Sequence, residues 1–184
     1  MDSSAAWLDR AMHCIECERF TLEPQMVSHA EEMFDVLSDP AIYTYENEPP
    51  PSVEWLRARF AKLESRQSPD GQQQWLNWVI RLPTNALIGF VQATVQPNGR
   101  ASIAYVLTSA YWDRGLASQA VQAMICELAE RYQVRKFSAV FKRGNHRSMR
   151  LLERLGFSHA SSEEHAEVGV EPGELLMQFA MRLP

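Results

Sequence analysis

Residues 103–124 read IAYVLTSAYWDRGLASQAVQAM. Ile103 to Leu107 form an apolar strand-like run, and a loop holding Arg114 and Gly115 follows it. Ala117, Ala120, Val121 and Met124 then recur at helical spacing. A strand that enters a helix through such a loop aims several backbone N–H groups, and the positive end of the helix dipole, at one spot beyond the strand end. That spot suits phosphate or pyrophosphate. A second segment, Asn145-His146-Arg147-Ser148 followed by Leu151 to Phe157, stands one predicted strand further on. Together the two point to a nucleotide-linked ligand.

Outward from this stretch the chain alternates strands and helices. Ile15 to Leu22 reads as a first strand. Val27, Ala30, Met33, Phe34 and Leu37 share a helical face that ends at Ser38-Asp39-Pro40. A proline-ended loop, Tyr43 to Pro51, leads to Ser52, a cap for a second helix through Leu63. Strands are predicted around Leu76–Leu82, over Leu87–Val95, and over Ala101–Leu107, with Pro97-Asn98-Gly99 as a hairpin turn. A third helix is predicted over Gly115–Tyr132, a strand over Val134–Phe141 and a fourth helix over Asn145–Leu155. Closing strands are expected near Phe157–His165 and Glu174–Arg182. The crossover through the third helix must make its two strands parallel within an otherwise antiparallel sheet. Ligands bind beyond the carboxyl ends of parallel strands, where the Gly115 loop lies.

Composition narrows the function. The 184 residues fit one domain, with residues 1–14 as an N-terminal extension. A net charge of −5 argues against sequence-independent nucleic-acid binding and against anchoring on anionic lipid. No apolar run is long enough to span a bilayer and no signal peptide is visible, so a cytoplasmic protein is expected. Three cysteines suit a reducing compartment. Cys14 and Cys17 form a lone CxxC without a second pair, so no metal is expected. Cys126 reads as core, as do Met26, Met33 and Met124.

The segments Tyr105–Ala120 and Asn145–Phe157 resemble the Gcn5-related N-acetyltransferase superfamily, in particular its ribosomal-protein alanine N-acetyltransferase branch. The resemblance runs over roughly Glu16 to Leu183. The branch's Tyr-Trp-x-Arg-Gly-x-Ala run is matched by Tyr111 to Ala117, and Ser38-Asp39-Pro40 also fits. The resemblance implies an α+β fold: a mixed, mostly antiparallel sheet with one parallel pair splayed at the cofactor site, and four main helices. It implies acetyl-CoA as cofactor and a primary amine as acceptor, either a protein N-terminus or a small molecule. Asp113, Arg114, Gly115, Leu116, Ala117 and Ser118 would hold the pyrophosphate. The strand end Tyr105, Val106, Leu107 and Thr108 would bond the pantetheine arm. A backbone amide of Val106 or Leu107 would stabilise the oxyanion. Asn145 would touch the cofactor. Ser148 is either the cap of the fourth helix or a hydroxyl near the sulfur, able to protonate the leaving thiolate. The amine attacks directly, without an acyl-enzyme.

The chain departs from the family pattern at two places. Ser102 stands where many members carry a glutamate base, and Leu152 where many carry a tyrosine acid. A lysine-like amine with pKa about 10.4 is neutral only about once in 2,500 at pH 7, a cost of about 4.6 kcal/mol, against about 1.4 for an α-amine. A weak-base site therefore suits a low-pKa amine. Glu46 or Glu48, in the Tyr43–Pro51 loop, could take the proton through water, or could simply be solvated. Asp113 either turns outward or faces the acceptor amine. A coenzyme A-binding module that has lost its chemistry is the alternative reading. Monomer and homodimer both remain open, the latter through the edge of the final hairpin.

Overall fold

The computed structural model describes residues 11–181. The first ten positions of the expected extension, and Arg182 at the end of the last expected strand, lie outside them.

Among the described residues eight strands, numbered β1 to β8 in chain order, form one sheet in the order β1-β2-β3-β4-β5-β6-β8-β7. The expected first strand divides into β1 (Ile15–Glu16) and β2 (Thr21–Pro24), which pair antiparallel. A 3-10 turn at Val27–His29 opens into α1 (Ala30–Leu37). A second 3-10 turn spans Pro40–Thr44. The Ser52 hydroxyl accepts from the Trp55 amide and starts α2 (Val53–Leu63). β3 (Gln74–Arg81), β4 (Leu87–Val95) and β5 (Arg100–Leu107) form an antiparallel meander. At its second turn the Asn98 side chain accepts from the Arg100 amide at 3.1 Å. α3 (Leu116–Arg131) crosses over to β6 (Lys136–Lys142), then α4 (His146–Arg154), β7 (Ser158–His159) and β8 (Glu174–Ala180) follow.

Three expectations are corrected. The strand expected near Phe157–His165 stops at His159. Residues Ser162–Val168 form a short fifth helix, α5, because Ser161 and Glu164 make a reciprocal capping box. Cys126 is exposed, since its i±4 neighbours Gln122 and Glu130 put it on the solvent stripe of α3. Met26 is 48 % exposed, because it precedes the first helical turn and never joins the buried face. Met33 and Met124 are buried as expected.

Helices cover both faces of the sheet. α3 and α4 pack one face through Leu116, Ala120, Val121, Met124, Leu128 and Leu151, against Trp78, Ile88, Val91 and Phe137. α1 and α2 pack the other through Met33, Leu37, Leu56 and Phe60, against Val79 and Leu87. β4 shows the alternation: Val91, Ala93 and Val95 are buried, while Phe90, Gln92 and Thr94 are half-buried on the face that α1 and α2 only partly cover. Both edge strands, β1 and β7, are two residues long, which leaves little ladder for pairing with a second copy. Among the described residues no helix is long and apolar enough to cross a membrane.

β5 and β6 are the parallel pair, and they are paired only at Arg100–Lys136, Ala101–Phe137 and Ser102–Ser138. Beyond Ser102, β5 continues with β4 as far as Gly89–Leu107, and β6 continues with β8 as far as Lys142–Glu174. Each strand keeps one partner while the two separate, and a cleft opens between them.

Candidate active site

The cleft begins at the helix start. Gly115 caps α3 at φ 76°, a left-handed conformation that glycine adopts without strain. A Cβ there would meet no atom within 4 Å, so the backbone faces open space. The first helical bond runs from the Gln119 amide to the Gly115 carbonyl at 3.1 Å. The amides of Leu116, Ala117 and Ser118 precede it and have no carbonyl partner inside the helix. Arg154 of α4 donates to the Ser118 hydroxyl at 3.3 Å, which sets a guanidinium beside those amides. Arg147 stacks over Trp112 at 4.4 Å and lies 3.6 Å from Asp113.

The strand wall comes next. The Thr108 amide donates to the Ile88 carbonyl at 3.0 Å. The two-residue period of the ladder then turns the Val106 amide toward β4 and the Leu107 amide toward the open edge. The Leu107 carbonyl accepts from the Trp112 indole N–H at 2.8 Å, in keeping with that direction. Gly89 lets β4 approach β5 here: a Cβ on it would stand 2.0 Å from the Val106 carbonyl oxygen.

A cavity of about 150 Å³ follows this cleft, lined by Tyr105, Val106, Leu107, Asp113, Gly115, Leu116, Ala117, Ser118, Asn145 and Ser148 among others. Two residues expected with these stand apart from its lining. The Thr108 hydroxyl donates to Asp39 at 2.9 Å, and the Arg114 guanidinium lies over Tyr111 at 5.2 Å. Asn145 caps α4, its side chain accepting from the Ser148 amide at 3.1 Å. Ser148 is therefore not the cap but a first-turn residue that lines the cavity.

A second cavity of about 420 Å³ runs across the half-covered sheet face beneath α2. Glu48 lines this groove only. Ile42, Glu46, Tyr105, Val106 and Ser148 line both cavities and form their junction. Glu46 keeps much of its surface in solvent. Desolvation nonetheless pushes its carboxyl above the ordinary carboxylate range, opposed by the Lys142 ammonium. Burial pushes the Tyr105 phenol up to about 12, so it stays protonated; its hydroxyl donates to the Ser148 carbonyl at 3.4 Å.

Sequence reading missed two participants. Tyr105 was expected to contribute its backbone alone, yet its phenol reaches α4 across the cleft. Asp39 was noted only within a motif. Its carboxylate accepts from the Ala41 amide at 3.0 Å, the Ser109 amide at 2.6 Å and the Thr108 hydroxyl, tying the Pro40–Thr44 turn to the end of β5. Desolvation would raise its pKa, but these bonds overcome that and hold it at about 2. An Asp placed just before a proline turn is a capping signal that could have shown this. The two departures are placed as well: Ser102 is exposed on β5, and Leu152 is buried in the core beside the groove.

The sequence model of the Acetyltransferase (GNAT) domain matches residues 19–158. The chain belongs to the GNAT acetyltransferase family. Its members are acyl-CoA-dependent acyltransferases, and coenzyme A is their acyl carrier. This GNAT chain is 28% identical over 148 residues to an uncharacterized N-acetyltransferase, p20, of Bacillus licheniformis, covering 79% of the chain and 83% of the relative. Its fold matches that of the ribosomal L7/L12 α-N-protein acetyltransferase RimL, solved in complex with coenzyme A. The TM-score is 0.77 at 19% identity, covering 91% of this chain and 98% of the other. It also matches the ribosomal-protein-S5-alanine acetyltransferase of Vibrio fischeri, with a TM-score of 0.74 at 16% identity over 91% and 96% of the two chains. The GNAT cleft here suits coenzyme A on its own residues. Three free amides and Arg154 complement a diphosphate, and the unpaired edge of β5 complements an amide-bearing arm.

Proposed function

We propose that this GNAT protein moves an acetyl group from acetyl-CoA to a primary amine of low pKa. The observation that carries the reading is the junction: cofactor cleft and groove meet at Glu46, Tyr105, Val106 and Ser148. The bound cofactor supplies a thioester. The Leu107 amide, on the open edge of β5, donates to the carbonyl oxygen as it gains charge. Glu46 takes the amine's proton through water, as a carboxylate whose basicity burial has increased. The Ser148 hydroxyl gives a proton to the sulfur and regains one from water, and the Tyr105 phenol, bonded to the Ser148 carbonyl, holds that turn of α4 in place. A C–N bond forms as the C–S bond breaks, and one proton passes from nitrogen to sulfur. No cysteine among the described residues lines either cavity, which supports direct attack.

Thiol release from acetyl-CoA, measured over a panel of amines and N-terminal peptides, tests this. Turnover with α-amines, and far less with lysine side chains, is expected. Tight coenzyme A binding with no thiol release for any amine would instead mark a binding module without chemistry. No thermal shift with coenzyme A would overturn the cofactor site as well.

A further inference from the structure

We propose that the groove selects the α-amine of a peptide whose first side chain is bulky and apolar; this rests on the transfer reaction proposed above. Trp55 and Val140 are 46 % and 38 % exposed, and they reach the same groove from α2 and β6. Large apolar groups held in solvent along one groove gain most from an apolar occupant beside them. Half-buried Phe90 supplies the floor.

Charge selects the other end of the occupant. The groove's charged side chains are Glu46, Glu48 and Arg59. The Arg59 guanidinium stacks on Trp55 at 5.6 Å and the nearby Lys142 ammonium is paired with Glu174 at 2.9 Å, so the two carboxylates are left to draw an ammonium group toward the junction.

Length argues for a peptide. Gln25 follows β2, is 4 % exposed, and lines the far part of the groove. β2 lies three strand spacings from β5, about 14 Å at about 4.8 Å each. A chain whose amine sits at the junction needs about four extended residues to run along the groove as far as Gln25. A small amine does not reach.

The test compares tetrapeptides that differ only in their first residue, Leu or Phe against Ala or Ser, with 2-phenylethylamine as the small-molecule arm. Thiol release and calorimetry on the coenzyme A complex are both read. Leu and Phe peptides should exceed Ala and Ser peptides by roughly tenfold or more in kcat/KM, on the scale set by apolar pocket discrimination. Trp55→Ala should collapse that ratio toward one, and Trp55→Phe should restore most of it, both keeping the coenzyme A thermal shift. Equal or reversed preference would overturn the proposal. So would 2-phenylethylamine matching the best peptide, which would mark a groove for small apolar amines. Tighter binding of Leu and Phe peptides without any thiol release would support the groove and refute the transfer reaction. Neither binding nor release would refute both.

Discussion

Glu46 stands between solvent and the cleft, and its protonation sets the expected pH response. Burial raises its pKa and Lys142 lowers it. The base works as carboxylate, so kcat/KM should fall as pH drops through a value above the ordinary 4.5. Glu46→Gln should remove that limb and lower kcat/KM by about 100-fold or more. Lys142→Met should move the limb to higher pH. Identical profiles for wild type and Glu46→Gln would exclude Glu46 as base. Ser148 and the Tyr105 phenol that holds its carbonyl are coupled at the junction. Ser148→Ala and Tyr105→Phe should each lower kcat, and the double variant should lose less than the product of the two, as expected for groups acting together. Independent, multiplicative losses would separate Tyr105 from the proton path.

The elements that hold these residues are fixed by a few contacts. Asp39 links the Pro40–Thr44 turn to β5, and with it the turn residue Ile42 to the junction. Asp39→Asn sets a donor against the Ser109 amide and Thr108 hydroxyl in one orientation or against the Ala41 amide in the other, and should cost about 1–3 kcal/mol in urea unfolding. The folded pKa of Asp39, about 2, lies below its ordinary 3.8. Its contribution is therefore complete above pH about 4 and is lost as pH falls toward 2. Equal acid sensitivity in Asp39→Asn would contradict that linkage. Gly89→Ala puts a methyl group against the Val106 carbonyl. It should force β4 and β5 apart, costing about 1–3 kcal/mol and weakening coenzyme A binding, as read by melting and calorimetry.

Elements whose ends carry local chemistry were legible in the sequence. Ser52, the Pro97-Asn98-Gly99 turn and Gly115 each mark a boundary that the fold keeps. α5 was equally marked, by Ser161 and Glu164, but the strand expected through His165 passed over the capping box. Cys126 was misplaced because Val121, Met124 and Leu128 suggest a wide apolar face, while Gln122 and Glu130 set its true edge. What no local pattern carries is long-range: that Tyr105 crosses to Ser148, or that Asp39 reaches β5 from 69 residues away. The site residues came mostly from resemblance and the cleft from topology; their meeting with the groove came only from three dimensions.

At the scale of the whole molecule, the parallel pair that separates after Ser102 and the bare start of α3 make one continuous receptor for coenzyme A. Calorimetric titration of coenzyme A into wild type and Gly115→Glu tests this most directly. Wild type should bind one equivalent; the variant, with a strained left-handed Glu whose carboxylate meets the diphosphate, should show no measurable binding while keeping native circular dichroism. Equal affinity in the two proteins would contradict it.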